Sequence, residues 1–346
     1  MVRDDTRELI RSLVEAFGPS GQEDEVRAYI EKQVRPYVDE VRVDAMGSLI
    51  CTRRPRPART GGPAGGKGKK VLLDAHMDEI GVMVTHIDDK GFLRFGVMGG
   101  VNPFVALGQR VVFRNGTVGV VGREKIEEPK DIKVEKLFID IGASSREEAL
   151  AKVGIGDTAV FFRPLERQGG HLVAKAMDDR IGCAVLIEVA RRLQASPHEI
   201  HFVFAVQEEV GLRGARTSAF GVAPEVAIAV DVTTTGDTPE PDYVMEVGLG
   251  KGAAIKVKDN SLICHPGLRR LLTDTARRHN ITHQLEVLER GGTDAGAIQL
   301  TREGVVAGVV SVPCRYVHSP CEVVDEGDVE ACIELLVKTL EGPIEW

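Results

Sequence analysis

Two adjacent carboxylates, Glu208 and Glu209, follow an apolar run that begins at His201 and is rich in β-forming residues. The run predicts a buried strand, and in open α/β sheets the carboxyl ends of such strands border the ligand cleft. Two neighbouring acids at that edge can take different roles, one binding a metal and the other carrying a proton. A Glu-Glu pair alone is more often two solvated charges, so the rest of the chain has to decide.

A second apolar run begins at Val71 and ends on His76 and Asp78. An imidazole at a strand end can bind a metal, and a carboxylate two residues later can orient that imidazole. Taken alone, this His-x-Asp pattern is more often a surface histidine beside acids. It gains weight because it stands at a strand end, as the Glu-Glu pair does.

Three further segments place polar residues where strands end or helices begin. Asp178 and Asp179 precede a predicted helix over residues 181–193, where one carboxylate can cap the helix and the other can reach a metal. Asp231 follows the apolar run over residues 226–230, and His318 lies in a loop after the predicted strand over residues 305–312. Five separate signals of this kind in one chain indicate a shared site.

The chemistry of this set is that of oxygen and nitrogen ligands without thiolates. It suits a pair of zinc ions, with cobalt or manganese as substitutes. One carboxylate that bridges both ions, with one histidine and one acid for each ion, uses five ligands. Glu208 is then left to take a proton from a water molecule and return it to a leaving amine.

Composition limits the classes of partner. The chain has 346 residues, 43% of them hydrophobic, and a formal net charge of −8, which argues against nucleic acid or an anionic membrane surface as partners. Its six cysteines form no CxxC pair and are expected to be reduced thiols. The sequence shows neither a signal-peptide pattern nor a long uncharged apolar span, so we expect a cytoplasmic protein.

The order of predicted elements indicates an α/β protein that is interrupted once. Residues 82–162 carry short alternating β segments separated by turn residues, which predicts an inserted all-β domain. The α/β domain would then be discontinuous, over residues 1–81 and 163–346. Residues 53–70 are rich in Arg, Lys, Pro and Gly and are predicted to form a mobile surface loop.

Six motifs, taken together, resemble those of the tetrahedral (TET) dinuclear metallo-aminopeptidases, the group of the glutamyl and deblocking aminopeptidases. The resemblance covers nearly the whole chain, in order. It implies a mixed central sheet sandwiched by helices, similar to the zinc exopeptidases, with the β insertion as a dimerisation domain. The motifs are His76-Met77-Asp78, Met177-Asp178-Asp179-Arg180, Glu208-Glu209-Val210-Gly211, Asp231-Val232-Thr233, Gly291-Gly292-Thr293-Asp294 and Arg315-Tyr316-Val317-His318-Ser319-Pro320.

The resemblance also implies a ligand set. His76 and Asp231 would hold one ion, Glu209 and His318 would hold the other, and Asp178 would bridge the two. The matching aspartate in the family is the first of its pair and is followed by a cis peptide bond. This ligand set implies two divalent metal ions per subunit.

The remaining roles follow from the same resemblance. Glu208 would be the general base, and Asp78 would orient the imidazole of His76. Gly292, Thr293 and Asp294 are candidates for binding the substrate's amino terminus. The implied reaction is hydrolysis of N-terminal residues from peptides, in a tetrahedral dodecamer built from dimers.

Other readings of the residues stay open at this point. A related di-zinc deacylase or carboxypeptidase would keep the same ligands and change only the pocket. A glycoside hydrolase would use paired carboxylates but would have no need of the two histidines, and aromatic residues make up only 5% of the chain. A metal-binding scaffold without activity would have no use for Glu208.

Overall fold

The structure is a computed structural model that describes residues 1–56, 68–241 and 244–345. These ranges contain seventeen strands and nine α-helices. The strands are β1 (Glu40–Val43), β2 (Leu49–Arg53), β3 (Lys70–His76), β4 (Gly81–Ile87), β5 (Leu93–Met98), β6 (Arg110–Phe113), β7 (Val118–Arg123), β8 (Leu137–Asp140), β9 (Thr158–Phe161), β10 (Glu166–Gln168), β11 (His171–Ala174), β12 (Glu199–Ala205), β13 (Val226–Thr233), β14 (Ala253–Lys258), β15 (His283–Val287), β16 (Val306–Arg315) and β17 (Glu322–Asp325).

The α-helices of the same ranges have apolar positions that face the sheet or the barrel. None of them combines the length and apolar character needed to cross a membrane. They are α1 (Asp4–Glu15), α2 (Asp24–Val34), α3 (Pro103–Ala106), α4 (Arg146–Leu150), α5 (Met177–Arg192), α6 (Arg213–Val222), α7 (Pro266–Arg278), α8 (Asp294–Gln299) and α9 (Glu326–Glu341). Short 3₁₀ turns occupy Arg35–Tyr37, Pro129–Asp131 and Val134–Lys136.

Eleven of the described strands form one mixed sheet. Its order is β1-β2-β12-β3-β13-β16-β17-β11-β10, with β14 paired to β16 and β15 paired to β14. The central neighbours β12, β3, β13 and β16 are parallel. Their carboxyl ends therefore meet at one edge of the sheet, while antiparallel pairs extend it on both sides.

Helices cover both faces of this sheet. Along β12, Phe202 and Phe204 pack into the cluster that contains residues of α1, α5 and α9, whereas Val203 points to the opposite face and packs with residues of α6 and α8. Successive side chains of a strand alternate between faces, so a continuous apolar run is what a doubly covered strand requires. The predicted α/β class with a large mixed sheet is confirmed.

The segment between β3 and β10 forms a small all-β domain with a core of its own. Strands β4-β5-β8-β7-β6-β9 close into a barrel, filled by apolar side chains such as Leu93, Ile139 and Phe161. The predicted all-β insertion is therefore present. The division of the chain at residues 82 and 162 stays a prediction.

Several elements differ from the sequence prediction. The helix α6 was not predicted because its sequence carries two glycines with Ser and Thr, which are weak helix formers, and the helix is stabilised by packing on the sheet. The short strands β15 and β17 were also missed. Strand β13 continues beyond Asp231 to Thr233 because these residues pair with β16. The predicted loop over residues 53–70 falls mostly on residues 57–67, outside the described ranges.

The contact between α6 and the end of β12 leaves no space for a side chain at Gly214. A Cβ atom there would meet the backbone O and N of Val206 at 2.5 and 2.6 Å. We expect Gly214→Ala to lower the midpoint of thermal unfolding, because the backbone has to move at a cost of about 1–3 kcal/mol. Gly221→Ala in the same helix is the matched control: its Cβ would meet only Arg42 Nη2, at 3.7 Å, and alanine's better helix propensity should raise the midpoint. Equal midpoints for the two variants would contradict this packing.

Candidate metal centre

Five of the polar residues singled out in the sequence come from five different elements that meet at one edge of the sheet. His76 is the last residue of β3, Asp231 lies near the end of β13, and Glu209 follows β12. His318 lies in the loop after β16, and Asp178 lies in the first turn of α5. The parallel strands and the start of this helix thus bring the five side chains to the same place.

These side chains form two groups that share one carboxylate. We call His76, Asp178 and Asp231 the first group, and Asp178, Glu209 and His318 the second group; in each, one ligand atom per residue lies within 4.8 Å of the others. The Nε2 atom of His76 is 3.0 Å from Asp178 Oδ1, and the Nε2 atom of His318 is 3.2 Å from Asp178 Oδ2. The two oxygens of Asp178 therefore face opposite imidazoles.

The start of α5 separates the roles of two neighbouring aspartates. Asp178 and Asp179 have non-helical backbone angles, and the peptide bond between them is cis, as predicted. The carboxylate of Asp179 accepts a hydrogen bond from the Gly182 N–H at 3.1 Å, as a helix cap does. Asp178 is left to point toward the imidazoles.

Asp78 connects the ends of two adjacent strands. Its Oδ1 accepts the N–H of Glu208 at 2.9 Å, and its Oδ2 accepts the N–H of Glu209 at 3.2 Å and the hydroxyl of Ser20 at 2.6 Å. The Nδ1 atom of His76 lies 3.1 Å from the Asp78 backbone oxygen and 3.4 Å from Asp78 Oδ1. Asp78 thus contacts the imidazole of His76 and also fixes the backbone of the two glutamates.

A cavity of about 710 Å³ opens onto the two groups. Glu208 lines it without belonging to either group, with Oε2 3.9 Å from His76 Nε2. Gly292 lies on the cavity wall, whereas Thr293 and Asp294 are buried, 2% and 3% exposed. Substrate binding by these last three residues stays a prediction, and the geometry favours Gly292.

The site holds more negative charge than its two imidazoles can balance. Burial, with repulsion from neighbouring carboxylates, raises the pKa values of Glu208 and Asp231 well above their usual range. Burial and the charge of Asp178 raise the pKa of Glu322 to about 8. Burial also acts to raise the pKa of Asp178, but hydrogen bonds to His318 and His76 outweigh burial and lower this pKa. Further positive charge is needed to keep these groups ionised.

The donor set fits divalent cations. Within the described part of the chain, the buried Oε1 atom of Glu209 has no hydrogen-bond partner, and an unsatisfied carboxylate oxygen of this kind needs a cation or a donor. The atoms that converge are carboxylate oxygens and imidazole nitrogens, which suit zinc, cobalt or manganese. The two groups therefore form a candidate site for two cations.

Sequence patterns did not identify three residues that contact this centre. Ser20 donates to Asp78, Glu322 accepts the backbone N–H of His318 at 2.8 Å, and Gly100 of the barrel lines the cavity. None stands at the end of a predicted strand. The two valines that follow Glu322 in the sequence were the one local signal that could have predicted the short strand β17, which Glu322 begins.

Comparison with known proteins assigns the chain to a family. The profile of the M42 glutamyl aminopeptidase family matches residues 61–335. The chain belongs to this family. It is an aminopeptidase, an enzyme that hydrolyses peptide bonds.

Similarity to individual proteins extends over nearly the whole chain. A putative aminopeptidase of Acetivibrio thermocellus is 50% identical, over 98% of this chain and 100% of the relative. The solved structure of the aminopeptidase APDkam598 from the archaeon Desulfurococcus kamchatkensis is 38% identical with a TM-score of 0.91, over 98% of this chain and 95% of that one. The TET1 peptidase of Pyrococcus horikoshii, which can assemble into a tetrahedron or a large octahedral shell, is 33% identical with a TM-score of 0.82, over 97% and 99% of the chains. The predicted resemblance to the TET aminopeptidases is confirmed.

In this M42 protein, Gly100, which follows strand β5 of the barrel, lies against His318 of the second group. A Cβ atom at this position would lie 2.2 Å from His318 Nδ1, so we expect Gly100→Ala to displace the imidazole. Binding of Co²⁺ to the metal-free protein, measured by calorimetry, should weaken by about 10–100-fold at one site. Gly96→Ala on β5 is the control, since its Cβ would make only an ordinary 3.6 Å contact with Thr85. Unchanged Co²⁺ affinity in Gly100→Ala would show that this contact does not hold His318.

Proposed function

We propose that this M42 enzyme is a metal-dependent aminopeptidase that releases N-terminal residues from peptides, with Glu208 as its general base. One observation carries the proposal: the two groups share Asp178 and leave Glu208 outside both of them, yet inside the same cavity. A carboxylate beside a cation pair that is not itself a ligand is the group required to move a proton.

In this proposal the first group holds one cation and the second group holds the other, with Asp178 shared. Zinc is the expected ion, and cobalt or manganese can replace it. The bound ions would polarise the scissile carbonyl and acidify a water molecule. His76 is supported by Asp78, whose backbone oxygen and carboxylate both face the Nδ1 atom, and this leaves Nε2 directed at the centre.

Glu208 then accepts a proton from the attacking water and donates it to the leaving amine. Burial and repulsion from neighbouring carboxylates raise the pKa of Glu208, and bound cations would offset this effect and keep the carboxylate ionised, as a base has to be. The hydrogen bond from its N–H to Asp78 fixes the backbone from which the side chain reaches into the cavity. The position of the proton carrier is therefore set by the same acid that contacts His76.

The substrate is proposed to be a peptide with a free amino terminus. The cavity is lined by carboxylates, which attract an ammonium group. Gly292, on the wall beside them, lets a substrate backbone approach closely, with Thr293 and Asp294 behind it. This chemistry recognises the end of a chain rather than its interior.

The barrel is proposed to pair subunits into dimers, which build a dodecamer. Its outer surface exposes apolar side chains that a second copy would cover; they include Met83, Val97, Phe104, Val118, Val120 and Phe162. The assembly of the TET1 peptidase into a tetrahedron supports the same arrangement here.

A cytoplasmic location is proposed because each of the six cysteines, all in described residues, is a free thiol.

Substitution of Glu208 tests its role directly. We expect Glu208→Gln to keep its binding of two cations while turnover of aminoacyl p-nitroanilides falls by about 10²–10⁴-fold, because the amide cannot accept the proton. Glu303→Gln, at an exposed position, is the control and should act as wild type. Turnover of Glu208→Gln within tenfold of wild type would place the base elsewhere.

The native mass tests the assembly. Light scattering should give about 450 kDa, the mass of twelve chains of 37.5 kDa. Val120→Lys places a charge on the exposed apolar surface of β7 and should shift the population to smaller species. A monomeric wild-type protein would rule out the dodecamer.

A further inference from the structure

Glu322 connects the backbone segments that carry two of the three residues of the second group, Asp178 and His318. Its side chain is buried, 2% exposed, at the first position of β17. The Oε2 atom accepts the N–H of Asp178 at 3.0 Å, and the Oε1 atom accepts the N–H of His318 at 2.8 Å. One carboxylate thus holds the main chain of two residues that are far apart in sequence.

The same two residues also meet through their side chains. His318 Nε2 lies 3.2 Å from Asp178 Oδ2, so Glu322 joins the backbones behind the point where the side chains converge. The distance between the two ligands is therefore constrained from both ends. A shift of β17 would move both ligands together.

The loop that carries His318 needs such support. Tyr316 and His318 both have left-handed backbone angles, with φ values of 61° and 62°. Residues other than glycine rarely adopt this conformation without compensating contacts. The hydrogen bond from the His318 N–H to Glu322 is one such contact, and it fixes the loop at His318.

From these contacts we infer that Glu322 is a positioning residue that sets the cation affinity of the second group. The inference rests on the proposed two-cation centre and adds a residue that contacts neither substrate nor ion. Substitution of residues that hydrogen-bond to metal ligands commonly lowers the metal affinity by about 10–100-fold. Replacement by glutamine keeps one acceptor oxygen but turns an amide NH₂, which is a donor, toward the other backbone N–H, so one ligand loses its hydrogen-bond acceptor.

Calorimetric titration of the metal-free full-length protein with Co²⁺ tests the inference. We expect Glu322→Gln to bind one of its two ions about 10–100-fold more weakly, and saturating Co²⁺ to restore turnover. Asp325→Asn is the charge-matched control: Asp325 lies on the same strand and its Oδ1 atom accepts the backbone N–H groups of Gly327 and Asp328, neither of which belongs to the two groups. It should bind both ions as wild type does.

A double-substitution cycle with His318→Ala separates positioning from general destabilisation. If Glu322 acts through the second group, its substitution should have little further effect on Co²⁺ binding once His318 is absent. Should Glu322→Gln fail to fold, Glu322→Asp, which keeps the charge but shortens the reach, carries the same expectation.

The outcomes distinguish the two proposals. Wild-type affinity in a folded Glu322 variant, equal weakening in Asp325→Asn, or additive effects in the cycle would each overturn the role of Glu322 alone. Failure of the wild-type protein to bind divalent cations would instead overturn the proposed function.

Discussion

Repulsion among buried carboxylates is the constraint on which the rest of the structure depends. Asp178, Glu208, Glu209 and Asp231 meet at the edge of one sheet, where burial makes each negative charge costly. Two imidazoles relieve only part of this repulsion. Such an arrangement is tolerated when it binds positive charge, and in the proposed reaction bound divalent cations would polarise the scissile carbonyl of the peptide.

Two further acids keep these carboxylates in place without joining them. Asp78 accepts the backbone N–H groups that follow β12, and Glu322 accepts those of Asp178 and His318. Asp78 uses its two oxygens on consecutive amides, whereas Glu322 uses its oxygens on amides from two different segments. The three residues of the second group, Asp178, Glu209 and His318, are therefore held by their main chains, and their side chains converge on the centre.

The β barrel takes part in this arrangement although it is an insertion in the chain. Gly100 lies so close to the imidazole of His318 that no side chain fits between them, and it forms part of the cavity wall. Contacts that shift the barrel would thereby also shift the imidazole of His318 in the second group. In an M42 enzyme whose barrel is proposed to pair subunits, this places the assembly surface and the chemistry in one connected body.

The amino-acid sequence by itself indicated the central strands of the sheet and the polar residues at or near their ends, because the apolar runs and the residues after them are adjacent in the chain. It indicated the α/β class, the β insertion and a pool of candidate ligands, and family motifs singled out Asp178 from Asp179. Only the tertiary structure decided the contacts of Ser20, Gly100 and Glu322. Glu322 is 144 residues from Asp178 in sequence, and a contact over that distance exists only once β17 has paired with β11 and β16 and the parallel strands have brought their ends together.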